Sequence, residues 1–456
     1  MMKLIQTAVF VLTIIVTSAL SQAATLTVQN LNDSGPGSLR QTIADSNPGD
    51  TIEFAPGIAG GTINLESEIP IVGSLEILGP KPEKLTLDGQ DQTRIFNISG
   101  VDTDTIIMSA LVLQNGFADQ DDGGAILING PNLEINHCVF DSNRTFCNSQ
   151  GCDAEGGALR NREGNIEIVI NYSSFINNST QCIGDDCTSE GGVYHNGGGQ
   201  TNTTFNKSAF ISNSTTCTGE DCDSGGGAFH NGGGGISNDQ LIIIVHNTTF
   251  ALNTTHCSGF DCNAEGGAID NAGGEVFVDI SNSTFDQNTS SCEGEECAAF
   301  INILDGVEEG TIKNNIFYSD AAGANCDNEI QMISEGYNID NGSSCIDGSV
   351  AGDKPNTNPR LDPRGPRDNG GPTPTVALFI TSPAIDMGSP DCPPPDTDQR
   401  GFPRPEGVAC DIGAFEGSVQ ELRSVPTLNE WGLIVMASVL GLIGFMVIRR
   451  RAVRIN

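Results

Sequence analysis

One block of sequence recurs five times through the middle of the chain, and a repeat of this size constrains the fold more than any local propensity does. Its first landmark is a C-x4-C pair, at Cys147/Cys152, Cys182/Cys187, Cys217/Cys222, Cys257/Cys262 and Cys292/Cys297, with first cysteines 35, 35, 40 and 35 residues apart. The second is Gly-Gly-Ala or a near match at Gly156, Gly191, Gly226 and Gly266; an earlier copy at Gly123 lacks the cysteines, and Ala298-Ala299-Phe300 is a decayed one. The third is Phe-x-x-Asn, at Phe140/Asn143, Phe175/Asn178, Phe210/Asn213, Phe250/Asn253 and Phe285/Asn288, closing with the altered Phe317/Asp320.

Between the landmarks lie β-rich stretches such as residues 166–170, 241–245 and 276–280, each about one strand long, and no amphipathic helix fits between them. A unit this small cannot bury its own apolar face, so it must stack on its neighbours. The expected fold is therefore all-β: a right-handed parallel β-helix with one coil per repeat, spaced about 4.8 Å apart as hydrogen-bonded strands are. The repeated phenylalanines are expected to stack inside as a ladder. Asn143 and its successors, with Asn161, Asn196, Asn231 and Asn271, are expected at turns, where Asn tolerates unusual dihedrals and bonds along a ladder. The 56 glycines, and aromatics at only 5%, suit many short strands and turns. Gly-Gly-Ala followed by Phe-x-x-Asn, over residues 123–320, resembles the repeats of the polymorphic outer membrane protein family, which implies a β-helical region.

Both ends carry export features. Lys3, an apolar run over residues 8–16 and the small residues Ser21 and Ala23 read as a signal peptide, residues 1–23. Near the other end, residues 432–448 form an apolar run at the lower limit for a transmembrane helix, and Arg449, Arg450 and Arg451 open a basic cytoplasmic tail, 449–456. Trp431 stands where an interfacial aromatic belongs. Val425-Pro426-Thr427-Leu428-Asn429-Glu430-Trp431-Gly432, the apolar run and the arginines look like the IPTL-CTERM sorting signal, with Val in place of the leading Ile. That resemblance implies an exosortase-like sorting enzyme as partner.

Between these ends, residues 24–122 read as a cap and early coils, 123–322 as stapled repeats, 323–355 as terminal coils, and 418–431 as linker and sorting motif. Ser38 is placed to cap a short helix whose Leu39 and Ile43 share a face, a segment that resembles the SLRxAI opening of many secreted β-helix proteins. Residues 356–417 are rich in Pro and turn signals. Asn358-Pro359-Arg360-Leu361, the segment 369–375, Ser382-Pro383-Ala384-Ile385-Asp386, Asp398-Gln399-Arg400-Gly401 and Cys410-Asp411-Ile412-Gly413-Ala414-Phe415-Glu416 closely resemble, in order, the choice-of-anchor Q domain of bacterial surface proteins.

Lys3 and the four tail arginines are the only charges at the two ends, so the intervening chain keeps 16 bases against 58 acids. Such a surface repels nucleic acid and anionic lipid. An exported chain meets oxidising conditions, where cysteines form disulfides. Cys326 with Cys345 and Cys392 with Cys410 are further candidate pairs, while spacing leaves local and coil-to-coil pairing within the repeats open. Thiolates from adjacent coils around zinc are the competing reading. Cys138 is left over, at the position where later repeats carry Ser173, Ser208, Thr248 and Ser283; an inert inward thiol and an intermolecular bridge are its two readings.

The stapled loops carry Asp185, Asp186, Glu220, Asp221, Asp261, Glu295 and Glu296, a possible oxygen set for Ca²⁺. His195 and His230 occupy equivalent repeat positions and offer either a metal or base site or simple repetition of a consensus. From Gly123 to Asp320 the only Lys and Arg are Arg144, Arg160, Arg162, Lys207 and Lys313, and no catalytic cluster of acids and bases is apparent among them. The expected function is a non-enzymatic, structural or adhesin-like surface protein, held by its C-terminal helix and facing an extracellular polysaccharide or cell-surface partner. The alternative is a surface-anchored polysaccharide lyase or glycoside hydrolase.

Overall fold

Alternation with period two runs through every repeat. In Glu167–Asn171, Ile168 and Ile170 are buried while Glu167 faces solvent, and the same pattern makes a strand in each coil. The computed structural model describes residues 23–233, 241–273, 276–295, 301–306, 309–327 and 331–418.

The named strands pair in parallel, each with its counterpart in the next coil, so the chain winds as a solenoid. Among the described residues three long sheets enclose one apolar core. The first has 11 strands, from Thr25–Val28 to Gln331–Ser334. The second, of 10 strands, carries the phenylalanines and runs from Thr62–Asn64 to Ile339–Asp340. The third has nine, from Ile69–Val72 to Ala324–Cys326, and carries the histidines. Two shorter sheets, of six and four strands, pack on each other as a flange on the stapled repeats, and the core between them is built of cysteine and alanine.

Phe140, Phe175, Phe210, Phe250, Phe285 and Phe317 stand in one register column, with ring centroids 4.6–5.3 Å apart. The ladder spacing is thus the strand spacing, and stacking adds to the burial of each ring.

The asparagines do more than mark turns. Asn143 Nδ2 donates to Asn178 Oδ1 at 2.9 Å, and the same contact repeats from Asn178 to Asn213, Asn253 and Asn288 at 2.8–3.0 Å. Each Oδ1 also accepts the backbone N–H of the preceding Asn, and each Nδ2 reaches a backbone carbonyl. The left-handed conformation expected of these residues falls instead one residue earlier, on Ser142, Asn177, Ser212, Leu252 and Gln287, at φ between 54° and 59°. The fully buried Asn side chain is needed to satisfy corner amides that water cannot reach. Asn161, Asn196, Asn231 and Asn271 form a second ladder within strands, at 2.6–2.9 Å. A third ladder joins backbone amides to the hydroxyls of Ser173, Ser208, Thr248 and Ser283, and Cys138 ends it.

At the start of the solenoid, Ser38 Oγ accepts from Gln41 N at 3.2 Å and opens the helix Leu39–Ala44, whose buried Leu39 and Ile43 pack against the first coils. Among the described residues no helix is long and apolar enough to cross a membrane. The expected signal peptide up to residue 22 and the apolar run 432–448 lie outside them.

Residues 356–418 run back along the corner between the 11-stranded and phenylalanine sheets. Thr373 Oγ1 donates to Lys207 O at 3.1 Å, Gln399 Nε2 to Ser208 O at 3.0 Å, and Ala414 N to Thr284 Oγ1 at 2.9 Å. A separate apolar cluster, including Ile316, Leu378, Ile412 and Phe415, seals this contact.

Candidate functional site

The turn-rich region folds around buried charge. Arg404 Nη1 lies 3.1 Å from Glu416 Oε2, both side chains almost fully buried, and Glu416 Oε1 accepts Glu406 N at 2.9 Å. Asp398 Oδ1 accepts the backbone N–H of Arg400 and Phe402, its Oδ2 that of Glu416, and Asn369 Nδ2 donates to Thr375 O at 2.8 Å. The polar residues of the sequence motifs are therefore the framework that gives these loops their shape.

Where this framework meets the phenylalanine-sheet turns it leaves an open cleft of about 790 Å³. Ile211, Leu252 and Phe379 give it apolar walls; Asp286, Tyr318 and Asp320 come from the solenoid, and Arg360 and Arg364 from the turn-rich region. Tyr318 Oη donates to Asp320 Oδ2 at 2.8 Å. Burial, and next the charge of Asp320, pushes the Asp286 carboxyl up to about 7. Burial also raises Asp362 at the cleft edge, but hydrogen bonds from Arg364 and Arg367 outweigh it and hold this carboxylate well below its usual range. The cleft thus combines a readily protonated acid, an ionised acid, a phenol and guanidinium groups beside apolar surface, a set suited to polar ligands with an apolar face.

The flange gathers the repeated cysteines. Cys147, Cys182, Cys217, Cys257 and Cys292 stand in one register column. Cys147–Cys152, Cys182–Cys187, Cys217–Cys222 and Cys257–Cys262 are paired locally with Cα–Cα distances of 6.0–6.4 Å, inside the disulfide range. Sulfurs of adjacent rungs also come close, Cys152 to Cys182 at 3.7 Å and Cys187 to Cys217 at 3.6 Å. Cys326–Cys345 and Cys392–Cys410 are paired as well, and Cys297 lies outside the described residues. Cys138 is free and buried, its thiol pushed up to about 11 by burial.

The acids at the flange tip are explained in part by backbone shape: Asp186, Asp221 and Asp261 each hold a left-handed turn position, at φ 48–54°, which Asp tolerates. No three of the described loop acids named as a Ca²⁺ set converge within reach of one ion. Convergence occurs instead in the angle between flange and body. There Arg160, His195, His230, Asp270 and Asp305 form one column of the histidine sheet, beside a second column of Glu155, Glu190, Gly225 and Glu265. Burial, and next the charge of Asp270, pushes Glu265 and Asp305 up to about 7.

The IPTL-CTERM motif model matches residues 423–452. The chain is thus a secreted protein with a C-terminal sorting signal. Motifs of this kind are processed by exosortase-type machinery and direct export and sorting to the cell surface. No curated protein and no solved structure matches the chain. The sorting residues Val425, Pro426, Thr427, Leu428, Glu430, Trp431 and Gly432, and Arg449, Arg450 and Arg451, all fall in the matched span and outside the described residues.

Two features escaped the sequence reading. The bases that the residues between Gly123 and Asp320 do not gather beside Asp286 and Asp320 arrive as Arg360 and Arg364, which only the folding-back of the turn-rich region brings there. The acids beside the histidines are the Glu that precedes Gly-Gly at Glu155, Glu190 and Glu265, a position whose repetition in the sequence is the signal that marks them.

Proposed function

We propose that the protein is a non-enzymatic, adhesin-like structural element of the cell surface: a stiff, acidic, disulfide-stapled right-handed solenoid, the hand that parallel crossovers take as a rule. The observation that carries this reading is the joining of a sorting motif over residues 423–452 to a parallel-stranded solenoid with a cleft on its flank. In this reading residues 432–448 hold the chain in the membrane, at least until the sorting enzyme acts. The repeats are of the polymorphic outer membrane protein type, residues 356–417 serve as a choice-of-anchor Q domain, and the cleft takes an extracellular polysaccharide.

A second reading has one observation in its favour. The mixture of Asp286, Asp320, Arg360 and Arg364 in a single cleft is the kind of acid and base set that a polysaccharide lyase or glycoside hydrolase needs. Residues 24–431, expressed in an oxidising compartment and applied to an array of bacterial and plant polysaccharides, separate the two. Binding without product release is the expected result; release of oligosaccharide makes the protein an enzyme; silence on both sinks the polysaccharide partner.

A further inference from the structure

We propose that Glu190, His195 and His230 bind a divalent first-row transition-metal ion, zinc being the best match, and that the ion ties two adjacent coils together. Glu190 and His195 belong to one coil and His230 to the next, where it is the register partner of His195. Each of the three residues offers one ligand atom within 4.8 Å of the others, and Glu190 Oε2 lies 3.4 Å from His195 Nδ1 and 3.0 Å from His230 Nδ1. A tetrahedral ion with bonds of 2.0–2.1 Å holds its donors roughly 3.3 Å apart. Glu190 Oε2 already stands at about that spacing from both nitrogens.

A second observation is independent of the cluster's composition. His195 and His230 are only 2% and 1% exposed, and neither Nδ1 makes a hydrogen bond. Both nitrogens point at the same carboxylate without the geometry of a bond to it. A buried nitrogen left without a partner is destabilising, and two that meet at one carboxylate call for a shared partner.

Carboxylates flank the two imidazoles, with Arg160 paired to Glu155 beside them. Asp270 Oδ2 lies 3.1 Å from His230 Nε2, which also makes no hydrogen bond in this structure, and a small ring rotation on ion binding would let that carboxylate fix the imidazole through its remote nitrogen. Glu155 Oε1, 3.5 Å from His195 Nδ1, and water are the two candidates for the fourth position. Space is kept by glycine. Gly225 stands in the Glu155/Glu190/Glu265 column, and a Cβ there would come within 2.6 Å of Asp270 Oδ2; a Cβ on Gly232 would come within 2.9 Å of His195 Nε2. Two imidazole nitrogens with one carboxylate favour zinc and its neighbours over Ca²⁺ or Mg²⁺, which take oxygen. The depth of the site suits a structural ion.

The test uses the exported chain with its disulfides intact, stripped by chelator and titrated with Zn²⁺ by calorimetry, with elemental analysis of the dialysed product. A single tightly held ion per chain and a higher melting temperature are expected. Glu190→Gln should weaken binding by on the order of 100-fold, and Asp270→Asn, which removes a positioning residue, by about 10-fold. His246→Ala and His256→Ala, at part-exposed histidines elsewhere, should leave the ion in place. Absence of binding, or a bound ion that survives His195→Ala/His230→Ala, overturns the proposal. Should the histidine variants fail to fold, Co²⁺ in the wild-type chain decides: an intense tetrahedral ligand-field spectrum that Glu190→Gln alters supports the site, and its absence or insensitivity overturns it.

Discussion

The stapled repeats and the turn-rich region 356–418 both bury many polar groups, but they satisfy them in opposite ways. In the repeats each solution is copied from coil to coil: the ladder gives the corner amides of Asn143, Asn178, Asn213 and Asn253 the same side-chain acceptor, and the phenylalanine column gives each of these coils the same apolar plug. In the turn-rich region each solution occurs once, as with Arg404 on Glu416 or Asp398 on three backbone amides. Repetition spreads a loss over neighbours that keep their own bonds. A single-copy network has no neighbour to lean on, and a charge stripped of its partner there stays buried.

That contrast is open to direct attack. The largest effect is expected from Arg404→Ala, which strands Glu416 in the interior and should cost about 4 kcal/mol. Limited proteolysis should then cut within 356–418 while the strand signal of the solenoid persists in circular dichroism; simultaneous loss of both would show that the two regions share one cooperative unit. Next comes Phe210→Ala, in mid-column, expected to cost about 3 kcal/mol, because a ring-sized void between Phe175 and Phe250 cannot be closed by strands held in register. Denaturant midpoints measure it, and a cost near zero would mean that the column is slack.

At the seam between the regions, Asp286 supplies a pH test. Its folded pKa, raised by burial and then by Asp320 to about 7, exceeds the ordinary unfolded value of about 3.9. The folded state therefore binds this proton more tightly than the unfolded chain. It carries no penalty below pH ~4, a growing one as pH rises towards 7, and a constant one above. Asp286→Asn should raise stability by about 2 kcal/mol at pH 8, roughly half of what the full shift implies because water in the open cleft screens the ionised carboxylate, and leave it unchanged at pH 4; equal effects at both pH values would show that ionisation is not the cause. The smallest effect is expected at the N-terminal helix, where Ser38→Ala removes the bond to Gln41 N at a cost of about 1 kcal/mol. Amide exchange confined to residues 39–45 would fit a local cap, whereas exchange spreading into the first coils would give the helix a share in holding the solenoid end.

The repeat was legible because a solenoid writes its structure into spacing: identical intervals between Cys182 and Cys217, Phe175 and Phe210, and His195 and His230 place each pair in register without knowledge of the fold. The N-cap at Ser38 was legible because capping is local. Distances between sequence-remote residues were not. Nothing in the order of residues says that Arg360 will stand beside Asp286, and the turn signals of 356–417 do not say which side of the solenoid they will cover.

The sequence by itself determined the coil length, the residues that stack and the sorting signal at 423–452, since each rests on a local motif or on a motif repeated at fixed interval. Tertiary structure alone decided that the cysteines pair within the flange loops, that the asparagine side chains bond amides while their predecessors take the left-handed turn, that two clusters of charge form, and where they lie. The physical reason is common to all of these. They depend on which groups lose water together, and that is fixed only when the flange folds against the body and residues 356–418 lie back along the flank.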